Sequence, residues 1–387
     1  MRFFKNAITL PLAGVLLFSA LCGCESSAVI LSYPDDLSGH IAETIEPGLE
    51  IDLEIESPGA AAPAEYGTEA LQADEQTMKS FLAYLSDSIE SKAVDEWLDG
   101  EHHYAVRTEK GSYAEFRQAG DGIAAATEWS YYAPVADEYN YAVIDYYGAG
   151  RSTSSFDNTS LYLAHRDFSF ASCEEALQYV RDALKILGLI NLDLVETLYL
   201  DHEIMSDYVK TAAVQDLLDH YGMQYLAERG YDASYDAYSF RFSLSKDGIP
   251  LFEEAFWNTT VGYATPNIVV RINKDGVFVV HASECSLFGE KTAESYQMFP
   301  AGRVLSDVRA MLQETICPYE RRIDGLKLRY IYWRAGNRLL LKPVWIVSVR
   351  EQEAGPPKDV SAPDGPREDS YSFFIYDAQT GELLCST

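Results

Sequence analysis

Histidine and cysteine are the side chains of this chain with the most distinctive chemistry, and their spacing decides what they can do. His102-His103 is the densest imidazole pair, yet consecutive strand residues point to opposite faces, so the pair cannot readily chelate one ion and reads as a solvated strand edge. Asp201-His202-Glu203 could supply an acid and a base, but directly after a strand-like run it reads more simply as a polar loop. Cys173 stands at the expected start of a helix, where the dipole would lower a thiol pKa and make it a nucleophile. No partner histidine can be identified, so Cys173 is expected to be packed or disulfide-bonded. Trp333 and Trp345 lie in strand-like runs, where aromatic rings fill cores more often than they stack on ligands. Cys173, Cys285, Cys317 and Cys385 are far apart, with no metal-ligand spacing, and four thiols allow three disulfide connectivities.

Recognised catalytic patterns are missing from the sequence: there is no Gly-x-Ser-x-Gly elbow, His-Glu-x-x-His pair, phosphate loop or dinucleotide fingerprint. Ser245-Lys246-Asp247-Gly248 and Asn273-Lys274-Asp275-Gly276 lack the alternating acids and distal Glu of a calcium loop and read as hairpin turns. The expectation is a protein without catalytic activity, resident metal or cofactor.

The elements that must position these residues follow from periodicity. Met78, Phe81, Leu82, Leu85, Ile89 and Trp97 approximate helical spacing between Glu69 and Leu98. Tyrosine-rich runs follow at Tyr104–Arg107, Trp129–Tyr132 and Tyr139–Tyr147 and suit antiparallel strands. Ser172-Cys173-Glu174-Glu175 is a capping-box pattern, with Leu177, Val180, Leu184 and Leu187 on one face behind it and Gly188 at the stop. A strand-like Val195–Leu200 and a second helical run, Ser206–Leu226, come next. Tyr238, Phe240, Phe242 and Leu244 then alternate with Ser239, Arg241, Ser243 and Ser245, the period of a half-buried strand. Ile268–Ile272 and Val277–His281 make another hairpin. A last helical stripe, Val304 to Ile316, is ended by Pro318 and followed by strands at Leu326–Trp333, Leu339–Val349 and Ser372–Tyr376. The Pro-rich stretch 351–370 is too long for a tight hairpin and reads as either a functional loop or a disordered one, disorder being the favoured reading.

Charge excludes a partner class. The formal net charge is −30, so nucleic acid is not an expected partner, and anionic headgroups would be repelled. Any hold on a membrane would have to come from acyl chains. The amino terminus offers such a hold: Arg2 and Lys5 precede an apolar run from Ala7 to Leu21, which ends in Leu21-Cys22-Gly23-Cys24. A positive start and a short apolar run describe a secretory signal. The Leu-x-Gly-Cys ending resembles the lipobox of bacterial lipoproteins, which implies a signal peptide over residues 1–23 and a diacylglycerol and palmitate-type chains on Cys24. The protein would then sit on the outer face of the bacterial cytoplasmic membrane. Residues 24–66, rich in Ala, Pro, Gly, Ser and Glu, read as an acidic disordered tether.

Lys342-Pro343-Val344-Trp345-Ile346-Val347-Ser348-Val349, then Phe374-Ile375-Tyr376-Asp377-Ala378-Gln379-Thr380-Gly381-Glu382-Leu383, resembles the two closing strands of PepSY-type modules. The likeness covers roughly residues 302–387, and the middle of the chain shares only its order of helix then strands. The resemblance implies an α+β fold of antiparallel sheets each packed on a helix, in tandem PepSY/cystatin-like modules. The expected organisation is a helix plus Tyr-rich β region at 67–165, an α+β module at 166–290 and a PepSY-like module at 300–387. In plan it is similar to the Yyc-type extracytoplasmic regulators of a cell-wall sensor kinase, although those usually keep a transmembrane helix where this chain has a lipobox. The implied role is binding or regulating another envelope protein, a sensor kinase or a peptidase. A solute-binding lipoprotein and a hydrolase of wall polymers or peptides are the alternatives.

Overall fold

The computed structural model describes residues 32–57, 63–71, 73–98, 101–119, 127–139, 159–211, 214–215, 218–219, 224–252, 267–294, 297–336, 338–353 and 370–386. The chain opens with β1 (Gly39–Glu46), β2 (Leu49–Glu56) and β3 (Tyr66–Ala70), followed by helix α1 (Glu75–Tyr84). A meander of β4 (Ile89–Leu98), β5 (Glu101–Thr108), β6 (Tyr113–Ala119) and β7 (Thr127–Tyr132) follows, then the single turn α2 (Ala136–Tyr139). Next come helix α3 (Cys173–Ile186), β8 (Leu192–Leu200), helix α4 (His202–Tyr208), β9 (Ala237–Lys246) and β10 (Ile249–Pro250). The remainder is β11 (Asn267–Asn273), β12 (Gly276–Lys291), the helix Ala301–Glu314, β13 (Tyr319–Ala335), β14 (Arg338–Glu353), β15 (Ser370–Asp377) and β16 (Leu383–Ser386).

These strands form one 16-stranded sheet, which corrects the expectation of tandem α+β modules with separate antiparallel sheets. The physical reason is the length of β12. Its first half pairs with β11 along one edge and β7 along the other, while its second half pairs with β3. Strand pairing therefore joins the segments expected at 24–66, 67–165, 166–290 and 300–387, with β3 also joining β14. The closing strands keep their expected places, β15 on β14 and β16 on β15, but inside the common sheet. At their turn Asp377 is held ionised: burial acts against this, but the Lys342 ammonium at 2.7 Å and the N–H groups of Gln379 and Thr380 outweigh it and lower its pKa.

The stretch expected to be a tether contributes two strands. Leu49, Ile51, Leu53 and Ile55 are buried, while Glu50, Asp52, Glu54 and Glu56 point outward. Acidic composition hides this period of two. β2 runs parallel to β13, with Arg322 opposite Glu50 and Lys327 opposite Glu56, so the ladder register and the charge register coincide.

The expected helical run over 69–98 is also shorter than its spacing implies. Asp74 caps α1 by accepting the Thr77 N–H at 2.7 Å, and the helix stops at Tyr84; Ser86 is left-handed (φ 55°) and the chain turns into β4. Ile89 and Trp97 are thus strand residues. By contrast, Ser172 and Glu175 form the expected capping box of α3 in full.

α1 and α3 bury Phe81, Leu82, Val180 and Leu184 against one face of the sheet, where Phe116, Trp129, Phe240 and Ile268 belong to the same core. The helix Ala301–Glu314 adds Val304, Leu305 and Val308 to that core, beside Leu328, Trp345 and Val347. Each such side chain contributes about 1.5–3 kcal/mol by leaving water. The alternation in β9 holds, but both of its faces are covered: Ser239 and Ser243 are each 3% exposed, and the Ser243 hydroxyl donates to the Leu251 carbonyl at 2.8 Å. Tyr139 ends α2, and the rest of the expected strand Tyr139–Tyr147, like most of the stretch 351–370, lies outside the described residues.

Candidate functional site

Asp201 and His202 meet a residue to which local sequence does not point. β8 ends at Leu200, and Asp201 becomes the cap of α4: one carboxylate oxygen accepts the N–H groups of Glu203 (2.8 Å) and Ile204 (3.3 Å). Its other oxygen is paired with the Arg166 guanidinium. His202 donates its backbone N–H to Asp236 Oδ1 at 3.0 Å, and its Nδ1 lies 2.8 Å from the same oxygen. Asp201 and Asp236 are 3% and 8% exposed, and the donor atoms of Asp201, His202 and Asp236 all fall within 4.8 Å of one another. Glu203 stays at the surface.

Two chemistries are open to such a cluster. With Nδ1 protonated toward Asp236, His202 would present Nε2 as a base. With His202 and both carboxylates turned inward it would offer three ligands to a cation. The second is opposed by what Asp201 already holds, because Arg166 supplies a positive charge there and two helix N–H groups satisfy the other oxygen. The cluster acts as a lock between α4 and the turn 233–235. Asp236 is reached only across the fold, and no local pattern marks it.

His102 and His103 point to opposite faces, as adjacent strand residues must. His103 Nε2 lies 3.0 Å from Glu115 Oε2, which also accepts the Tyr113 hydroxyl at 2.9 Å; burial and that carboxylate push the Tyr113 pKa up to about 12. His102 Nε2 lies 3.1 Å from Asp95 Oδ1.

Cys173 is the first residue of α3, yet the structure reverses the expectation of a lowered thiol pKa. Burial raises it; a hydrogen bond with the Tyr199 hydroxyl (3.7 Å) acts in the opposite sense, and the Asp167 carboxylate adds to the rise. A group whose reactive form is the thiolate is thereby held as the thiol at neutral pH. Alkylation of Cys173 by iodoacetamide at pH 7.5 is therefore expected to run several-fold slower than that of free cysteine, followed by peptide mass mapping; a faster rate would restore the nucleophile reading. None of the four described cysteines is part of a disulfide. Trp345 is a core residue, as expected, 2% exposed and donating its Nε1–H to the Phe299 carbonyl at 2.8 Å. Cys24 lies outside the described residues.

The feature that sequence reasoning misses is at a sheet edge. Among the described residues β4 is hydrogen-bonded to β5 alone and ends the strand order. Its first half is interrupted by register shifts at Ile89/Ser91 and Lys92/Val94, but Val94–Leu98 is regular opposite Glu101–Ala105. On that regular stretch Trp97 is 66% exposed, and one face of its indole stacks on His102 with ring centroids 5.0 Å apart and planes 16° apart. An aromatic series runs inward from there, His102 to Phe116 at 5.4 Å and Phe116 to the buried Trp129 at 5.2 Å.

Comparison with family models and with curated proteins finds no match. Among solved structures the chain is similar to an uncharacterized protein from Eubacterium rectale ATCC 33656, with a TM-score of 0.60 and 16% sequence identity over 92% of this chain and 96% of that one, a likeness that concerns the fold alone.

Proposed function

We propose that this chain is an exported, lipid-anchored, non-catalytic protein that binds another protein of the cell envelope. The observation that carries the reading is the regular edge Val94–Leu98, unpaired among the described residues, with an exposed tryptophan on it. A free strand edge accepts an extended segment through main-chain hydrogen bonds, and tryptophan is the residue most enriched among side chains that dominate interface energy. Soluble proteins blunt such edges with bulges and charge. Here the bulges occupy the first half of β4, whereas the second half is regular and displays Trp97 beside the carboxylates Asp95 and Glu96.

The anchor would hold this body close to the bilayer. Tyr33 N–H donates to Ser306 Oγ at 3.0 Å, Asp35 forks with Arg303 at 2.9 and 3.0 Å, and a Cβ on Gly302 would collide with the Pro34 carbonyl. Residues 33–35 are thus fixed to the folded body. At about 3.3–3.6 Å per residue, the eight steps from Cys24 to Ser32 reach no further than about 29 Å. A partner must present its segment within that range of the membrane plus the body's own extent.

A photo-crosslinking residue in place of Glu96, in the lipidated protein on native membranes, tests the reading. The expected result is a discrete adduct with one envelope protein, reduced at least about tenfold by Trp97→Ala, the scale of a hot-spot loss. Thermal stability should not change, because the indole is mostly exposed. Turnover of a peptide or glycan by the purified chain, abolished by single Asp or Glu changes without loss of stability, would replace binding by hydrolysis.

A further inference from the structure

The charges along β4 narrow the class of partner. The strand carries three carboxylates, Glu90, Asp95 and Glu96, and one ammonium, Lys92. Lys92 is already committed: its Nζ lies 2.9 Å from Asp95 Oδ2, 3.7 Å from Glu75 Oε2 and 5.0 Å from the centre of the Tyr104 ring. The regular stretch itself has Asp95 and Glu96 and no cation. By the alternation of the pleat, Asp95 and Trp97 share one face, with His102 and Tyr104 opposite them, and Glu96 points to the other, opposite His103. A strand added to this edge would set one row of side chains beside Asp95 and Trp97 and the other beside Glu96.

The geometry points to a basic extended segment, with alternating lysine or arginine, as the occupant of the β4 edge. The proposal rests on the binding function above and deepens it. One face of the Trp97 indole is covered by His102, and a cation over its open face would be attracted by the ring quadrupole; Asp95 alongside is already paired with Lys92 and His102, so the selecting charge on this stretch is that of Glu96. On the second face a cation directly across from Glu96 makes the favourable cross-strand pair, and an acidic residue there makes the unfavourable one. The formal net charge of −30 acts at longer range in the same direction, drawing a basic segment in and repelling an acidic one. An acidic or purely apolar strand would satisfy the main-chain groups equally well. The side chains are what select.

The test uses the full chain and synthetic probes: a β-prone peptide of about ten residues, the length of a long strand, alternating Lys with Val and Thr, and the same peptide with Glu for Lys. Titration calorimetry should show binding of the Lys peptide and none of the Glu peptide at equal concentration. Trp97→Ala should weaken the Lys peptide by about thirtyfold and Trp97→Tyr by no more than about fivefold, since a smaller π face remains. Glu96→Gln should cost about threefold to tenfold and flatten the salt dependence. Equal affinity for the Lys and Glu peptides, or Lys-peptide binding that neither Trp97→Ala nor Glu96→Gln alters, would overturn the assignment of a basic segment. If the crosslink at position 96 still traps an envelope protein in that case, the binding function survives and only the partner's chemistry is wrong. If the crosslink also fails, the edge is not the docking site.

Discussion

Trp345→Ala is expected to lower the unfolding free energy by about 3–5 kcal/mol, as large-to-small changes in a closed core do. Trp345 lies in the middle of β14, between Leu328 of β13 and Tyr376 of β15, and packs in the core that the helix Ala301–Glu314 covers. Truncation opens a cavity at that junction and also removes the donor to the Phe299 carbonyl, which sits just before the helix begins. An acceptor left without a donor inside the protein adds about 1–3 kcal/mol where water cannot replace the bond. Trp345→Phe weighs the two effects differently, because it removes the N–H with only part of the indole and keeps a six-membered ring in the core; its cost should fall below that of Trp345→Ala. Urea titration followed by circular dichroism measures both variants. A loss below about 1 kcal/mol for Trp345→Ala would mean that the helix does not seal this face of the sheet.

What is legible in the sequence is local, and what is not is carried by distant partners. Ser172 and Glu175 announce α3 because a capping box is complete within four residues. Tyr238 to Leu244 announce a strand because alternation is a property of the strand alone. The same alternation suggests a wet serine face, and wrongly, because Ser239 and Ser243 are covered by elements that no window around β9 contains. Helical spacing from Met78 through Trp97 continues past a stop that is itself local: Ser86 in a left-handed conformation and Asp87 accepting the Ser88 and Lys110 N–H groups break the helix. Strands do form where the closing pattern of the sequence places them, but that pattern describes only strands and a turn, which a larger sheet uses equally well. His202 stands out in the sequence as titratable, yet its partner Asp236 is supplied by the chain's return 34 residues later. Trp97 fits a helical period as well as a strand, and only the pairing of β4 with β5 makes it an edge residue.

The acidic stretch 39–56 supplies the second large effect. Ile51→Asp is expected to detach the β1–β2 hairpin at a cost of more than about 4 kcal/mol, since it places a carboxylate where an isoleucine is 1% exposed. Ile51 lies across from Glu43 of β1 and Ile323 of β13, so the introduced charge would enter the seam between the hairpin and the sheet. The same charge on the outer face is tolerated by the pattern: Glu50 and Glu56 already sit there, 3.0 Å from Arg322 and 2.6 Å from Arg329. Glu54→Gln should consequently stay within about 0.5 kcal/mol of the parent, as surface changes do. Limited proteolysis with a Glu-specific protease distinguishes a docked hairpin from a tether. The parent chain should resist cleavage between Gly39 and Glu56 despite its five glutamates in the two strands, whereas Ile51→Asp should be cut there within the first minutes. Rapid cleavage of the parent in this stretch would return it to the role of a disordered linker. It would also lengthen the reach of the anchor proposed on Cys24 beyond about 29 Å, because the free chain would then extend past residue 33.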